Sequence, residues 1–177
     1  MRRVRTESSR EIYRNAWMSL REDHITHPDG SPGLYAVVDK PACVCVIAVD
    51  GDSFHLIEQF RYPLGRRSWE FVQGTWPHEG PPGEELARAE LAEETGLRAD
   101  TLRHLGRISV AAGLTSQECD VFVAGGLTQG PHARESTEQE MQHAVFTRAE
   151  LDKMLRDGVI ADGITLAAYA LYLLHTP

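Results

Sequence analysis

The chain has 177 residues, 42% of them hydrophobic and 25% charged, and a formal net charge of −8. This length and balance suit one globular unit with a sizeable core and exclude an intrinsically disordered chain. The acidic charge argues against a broad electrostatic grip on nucleic acid, so any phosphate chemistry calls for metal ions or a local arginine cluster.

The basic start, MRRVRTESSREIYR, lacks the apolar segment of a signal peptide, and no run approaches ~18 apolar residues. No membrane span is expected, and the location is expected to be cytoplasmic. Residues 11 to 40 contain short strand-like pieces, WMSLREDHI and LYAVVD, around the turn cluster HPDGSPG. Two strongly β-type runs follow, Cys43 to Val49 and Ser53 to Gln59, joined by the hairpin signal Asp50-Gly51. Cys43 and Cys45 alternate in CVCVIAV and so share one strand face. With Cys119 they read as small buried hydrophobes in a reducing compartment, since three cysteines make no complete disulfide framework.

SWEFV is a further strand, and TWPHEGPPG after it is too rich in Pro and Gly to be regular. The pattern predicts a helix from Glu84 to Thr95, opened by acidic residues and closed by Gly96. Leu102 to Val110, Asp120 to Ala124 and His143 to Phe146 read as strands. Thr147 and Glu150 form a T-x-x-E capping box for a helix that Gly158 ends, and an apolar helix follows from about Ile164 to Leu174. Interleaved strands and helices predict a mixed α/β layered domain.

RAELAEETGL, residues 88 to 97, raises the functional question. Residues three and four apart share a helical face, so Glu90, Glu93 and Glu94 gather their charge there. The spacing alone leaves two readings open. One is a solvated acidic stripe. The other is a divalent-cation site of hard oxygen ligands that bridges to substrate phosphates.

The stretch GTWPHEGPPGEELARAELAEETGL resembles the Nudix box, G-x5-E-x7-R-E-U-x-E-E-x-G-U with U aliphatic, and matches every specified position from Glu90 to Leu97. LIEQFRYPLGRRSWEFVQG before it and TEQEMQHAVFTRAELDKMLRDGVIADGITLAAYALYLL after it resemble the ADP-ribose and sugar-nucleotide pyrophosphatases of that superfamily. Two departures stand out. Ala89 occupies the arginine position of the box, with Arg88 rotated by ~100° on the helix and no simple replacement. One extra residue separates Gly74 from the helix, which leaves Glu79 and Glu84 out of register with the first box glutamate. The two departures fall in one motif and are expected to compensate each other, so that an arginine put back at position 89 would clash.

The resemblance implies a Nudix-type α/β/α sandwich with a mixed sheet over residues 41–177. It also implies a small N-terminal strand region over residues 1–40 that mediates a homodimer. The implied reaction is Mg²⁺-dependent hydrolysis of the diphosphate of ADP-ribose or a similar nucleoside diphosphate sugar, with Mn²⁺ able to substitute. Glu90 and Glu94 would be the central metal ligands, with Glu93 beside them and the main-chain carbonyl of Gln73 as a further one. Arg61 and Glu70 match positions that line the substrate cleft, and Trp76 is placed to stack on the base unless it is merely exposed. Trp17 reads as core or dimer contact. The general base is expected on the loop RESTEQEM, where Glu135, Glu138 and Glu140 are candidates, Glu138 favoured and Glu140 second. A nucleotide-sensing module that has lost turnover is the alternative.

Overall fold

The computed structural model describes residues 3–76, 83–131 and 140–176. Its N-terminal part is an antiparallel sheet in the order β1 (Arg5–Arg14), β2 (Ser19–Thr26) and β3 (Pro32–Asp39). The turn between β2 and β3 closes with Asp29, whose Oδ1 accepts from the Ser31 amide at 2.9 Å and its hydroxyl at 2.7 Å. β1 is a strand beyond the expected ones. It is exposed along its whole length, so neither of its faces needs apolar residues and no alternation marks it.

The second sheet is built from β4 (Cys43–Asp50), β5 (Ser53–Arg61), β6 (Arg66–Glu70), β7 (Val72–Gly74), β8 (Leu97–Ser109), β9 (Glu118–Gln129) and β10 (Gln142–Thr147). Its order is β10-β5-β4-β9-β8, and the parallel pairing of β4 with β9 amid antiparallel neighbours makes it mixed. The expected β4–β5 hairpin is present. Gly51 takes φ 58° at the first position of a two-residue loop, the place where a type II′ turn favours glycine.

SWEFV, expected as one strand, is two. β6 pairs with β5, the chain steps across at Phe71, and β7 pairs with β4. β8 also begins earlier than expected, at Leu97, because residues 97 to 99 pair with 127 to 129.

Side chains of β4 alternate between two cores. Cys43, Cys45 and Ile47 face a cluster with Leu151, Ile160, Ala168 and Tyr169, from α2 (Arg148–Arg156), α3 (Gly163–His175) and the link between them. Val44, Val46 and Ala48 face Leu86, Ala87 and Leu91 of α1 (Gly83–Thr95). A sheet buried on both faces by helices is the expected α/β/α sandwich. The three cysteines are free and buried, and burial pushes the Cys45 thiol well above its ordinary range.

The Thr147–Glu150 capping box forms as expected. The Thr147 hydroxyl accepts from the Glu150 amide, and the Glu150 carboxylate accepts from the Thr147 amide at 2.8 Å. Replacing Thr147 with Ala should lower unfolding stability by about 1 kcal/mol, read as a lower urea midpoint at unchanged slope. An unchanged midpoint would mean that tertiary packing alone holds α2.

Candidate active site

The site begins with α1. Leu86, Ala87 and Leu91 bury one side of the helix against the sheet, which fixes its rotation and therefore the direction of its glutamates. Glu94 is 1% exposed, while Glu90 and Glu93 are half-buried. Gly96 ends the helix with φ 75°, its amide donating to the Ala92 carbonyl at 2.9 Å.

The acidic face lies against β7. A Cβ at position 74 would stand 1.9 Å from the Glu90 carboxyl carbon and 2.0 Å from its Oε1. Only a residue without a side chain lets that carboxylate lie over the strand. β7 also carries Gln73, whose side chain turns to the opposite layer and donates to Asp162 at 2.7 Å.

Beside β7 a cavity of about 430 Å³ opens, lined among others by Arg61, Glu70, Gln73, Gly74, Thr75 and Asp162. Arg61 and Glu70 form a bidentate pair across β5 and β6, with Nη2 to Oε2 at 2.5 Å and Nε to both oxygens at 3.1 Å. The Glu70 side chain is 2% exposed. Burial works to lower the Arg61 pKa, but the hydrogen bonds and charge of Glu70, with the charges of Asp162 and Glu94, outweigh it and the value is raised. Arg61 thus stays cationic among carboxylates at the cavity wall.

The expected metal ligands Glu90, Glu93, Glu94 and Gln73 all lie on α1 and β7. Among the described residues, no three His, Cys, Asp or Glu side chains already surround one point as in a closed metal centre. The donor chemistry nonetheless fits a hard divalent cation: carboxylates on one helical face, one of them cradled on a glycine.

Glu140 is exposed in the turn before β10, and its carbonyl accepts from Arg67 Nη2 at 2.9 Å. Glu135, Glu138 and Glu79 lie outside the described residues. Glu84 faces solvent and pairs with Arg88 at 3.0 Å. Arg88 also donates to the Ala99 carbonyl at 2.9 Å, so its guanidinium is spent away from the box glutamates.

Ala89 is exposed and lines a groove of about 350 Å³ with Arg88, Leu91 and Arg98. The clash expected for an arginine at this position depends on the loop before α1. The inserted loop residue itself lies outside the described residues. Trp76 ends the described stretch after β7 and is 40% exposed. Trp17 is 56% exposed, which removes it from the core.

Sequence reasoning missed Asp162 and Thr165. The D-x-x-T spacing ahead of an apolar run was a usable signal for a helix cap, and Asp162 does cap α3 by accepting from the Thr165 amide at 2.8 Å.

Comparison with known proteins matches two family models, a nucleoside diphosphate sugar hydrolase N-terminal domain over residues 4–38 and a NUDIX domain over residues 39–167. An ADP-ribose pyrophosphatase of Mycobacterium tuberculosis is 30% identical over 164 residues, which is 92% of this chain and 79% of the relative. A solved structure of an ADP compounds hydrolase superposes with a TM-score of 0.84 at 19% identity, covering 98% of this chain and 92% of that one, a likeness of fold. The Glu90 carboxylate cradled on β7, the mixed sheet between helical layers and the family match over residues 39–167 make one conclusion: this chain belongs to the Nudix hydrolases.

Proposed function

We propose that the chain is a Mg²⁺-dependent pyrophosphatase that hydrolyses the diphosphate bond of ADP-ribose or a similar nucleoside diphosphate sugar to a nucleoside monophosphate and a sugar phosphate. The observation that carries this reading is the seat of Glu90 on Gly74, beside buried Glu94 and a cavity walled by the Arg61–Glu70 pair. The relative named as an ADP-ribose pyrophosphatase supports the substrate class.

Glu90, Glu94 and Glu93, with the Gln73 carbonyl, would hold Mg²⁺, for which Mn²⁺ substitutes. The ion supplies neutralisation of the diphosphate and of the charge that develops on the leaving phosphate. Arg61 binds the substrate's phosphate oxygens while Glu70 keeps its guanidinium in place. Trp76 offers a stacking face to the base. Glu138, with Glu140 second, takes the proton of the attacking water as the new P–O bond forms and the bridging P–O bond breaks.

The protein works as a cytoplasmic homodimer joined through residues 1–40, with residues 41–177 as the catalytic unit. Exposed Ile12, Tyr13, Leu34 and Tyr35 on the N-terminal strands, with Trp17 between β1 and β2, support that interface. Ala89 favours a second reading, a nucleotide-sensing module without turnover, because Arg88 is committed to Glu84 and the Ala99 carbonyl. Assaying a panel of nucleoside diphosphate compounds with Mg²⁺ and Mn²⁺, with products identified by mass, separates the two.

Glu94→Gln should keep the fold and lose roughly 100-fold in turnover, and chelation of wild type should silence it likewise. A Gln variant as fast as wild type at saturating Mg²⁺ would remove Glu94 from the metal site.

Gly74→Ala should leave the fold intact, since the atoms that a Cβ would meet belong to the Glu90 side chain and not to backbone. By displacing that carboxylate it should reduce kcat/KM by about 100-fold. Wild-type kinetics in this variant would show that the seat of Glu90 is irrelevant to catalysis.

Glu138→Gln should cut kcat by roughly 100-fold or more at nearly unchanged metal affinity, with a smaller loss for Glu140→Gln. The reverse ranking would move the base to Glu140, and normal rates in both would exclude this loop from proton transfer.

A further inference from the structure

The chain steps from β6 to β7 at Phe71, where neither neighbouring strand serves the Phe71 amide. That amide donates instead to the Thr165 hydroxyl at 3.1 Å, in the first turn of α3. Thr165 is 0% exposed, so the bond stands where water cannot substitute for it. Two residues on, both reaches of the Gln73 side-chain amide end on the same turn: Nε2 donates to Asp162 Oδ2 at 2.7 Å and to Thr165 Oγ1 at 3.3 Å. Asp162 Oδ2 also caps the helix by accepting from the Thr165 amide at 2.8 Å.

The pleat of β7 gives these contacts their meaning. Successive side chains of a strand point to opposite faces. Val72 and Gly74 face α1, Val72 in its core and Gly74 beneath the Glu90 carboxylate. Gln73, between them, faces α3 and the cavity. Asp162 therefore holds from one layer the strand on which a glutamate of the other layer rests. Its charge also acts on Arg61 across the same cavity.

We propose that Asp162 is a positioning residue of the active site: by gripping Gln73 it fixes β7, and with it the Gln73 carbonyl and the Gly74 seat of Glu90. This inference rests on the metal-dependent reading above. The test uses the full chain and three variants. Asp162→Ser still caps α3, because Ser and Asp cap about equally well, but its shorter side chain cannot also reach the Gln73 amide, which in wild type shares the capping oxygen. Gln73→Glu sets a carboxylate against Asp162. The double variant, Gln73→Glu with Asp162→Asn, restores one donor and one acceptor at unchanged net charge.

The readouts are the Mn²⁺ binding midpoint by electron paramagnetic resonance, kcat and KM for ADP-ribose, and the melting temperature. Each single variant should bind Mn²⁺ roughly 10-fold more weakly and lose ~10- to 100-fold in kcat, with KM changed little, as for residues that orient metal ligands. Asp162→Ser should melt within a few degrees of wild type, and the double variant should recover most of what Gln73→Glu loses. Wild-type Mn²⁺ affinity in Asp162→Ser would overturn the proposal. So would a loss that tracks a fallen melting temperature and is not recovered in the double variant, which would mark a helix cap alone. Absence of Mn²⁺ binding in wild type would overturn it together with the metal reading. Mn²⁺ binding without turnover on any substrate would overturn only the proposed reaction, and the affinities would still decide the role of Asp162.

Discussion

The distance between α1 and β7 governs this molecule. The Glu90 carboxyl group occupies the space that any side chain at position 74 would need. A carboxylate can lie this close to a strand only where the strand offers bare backbone. Leu86, Ala87 and Leu91 pack the other side of the helix into the core. The Glu90 carboxylate consequently lies against main chain.

Around the cavity, the constraint is electrostatic. Glu70 is buried as deeply as the core leucines, and it is tolerated because Arg61 meets it with a two-pronged set of hydrogen bonds. Removing one partner of such a pair typically costs about 3–5 kcal/mol, since the other charge is left without compensation. Packing makes the layers, whereas pairing of buried charge fixes where the polar groups stand within them. The two demands meet at β6 and β7, five and three residues long, which carry Glu70, Gln73 and Gly74.

Legibility in the amino-acid sequence followed the range of the interactions. The hairpin at Gly51, the capping box at Thr147 and the stop at Gly96 depend on residues within four positions of each other, and each was readable. The glutamate spacing was readable for the same reason, and the family resemblance turned it into a site. The break at Phe71 was not, because the group that satisfies its amide lies 94 residues away. Asp162 and Gln73, 89 residues apart, were hidden likewise. β1 escaped because an exposed strand leaves no hydrophobic period to detect.

The parallel pairing at the centre of the sheet carries a consequence for how the chain reaches this state. Cys43 to Ala48 lie against Cys119 to Ala124, so the middle of the sheet closes only when segments 76 residues apart meet. Pairings of such long range surrender chain entropy before they return any stabilisation, and they slow folding. Phe122 and Ala124 of the later segment also belong to the cluster beneath α1. The helix that bears the glutamates therefore lacks part of its floor until the second half of the chain has arrived. During synthesis, the acidic face gains its full floor only after Phe122 and Ala124 have emerged.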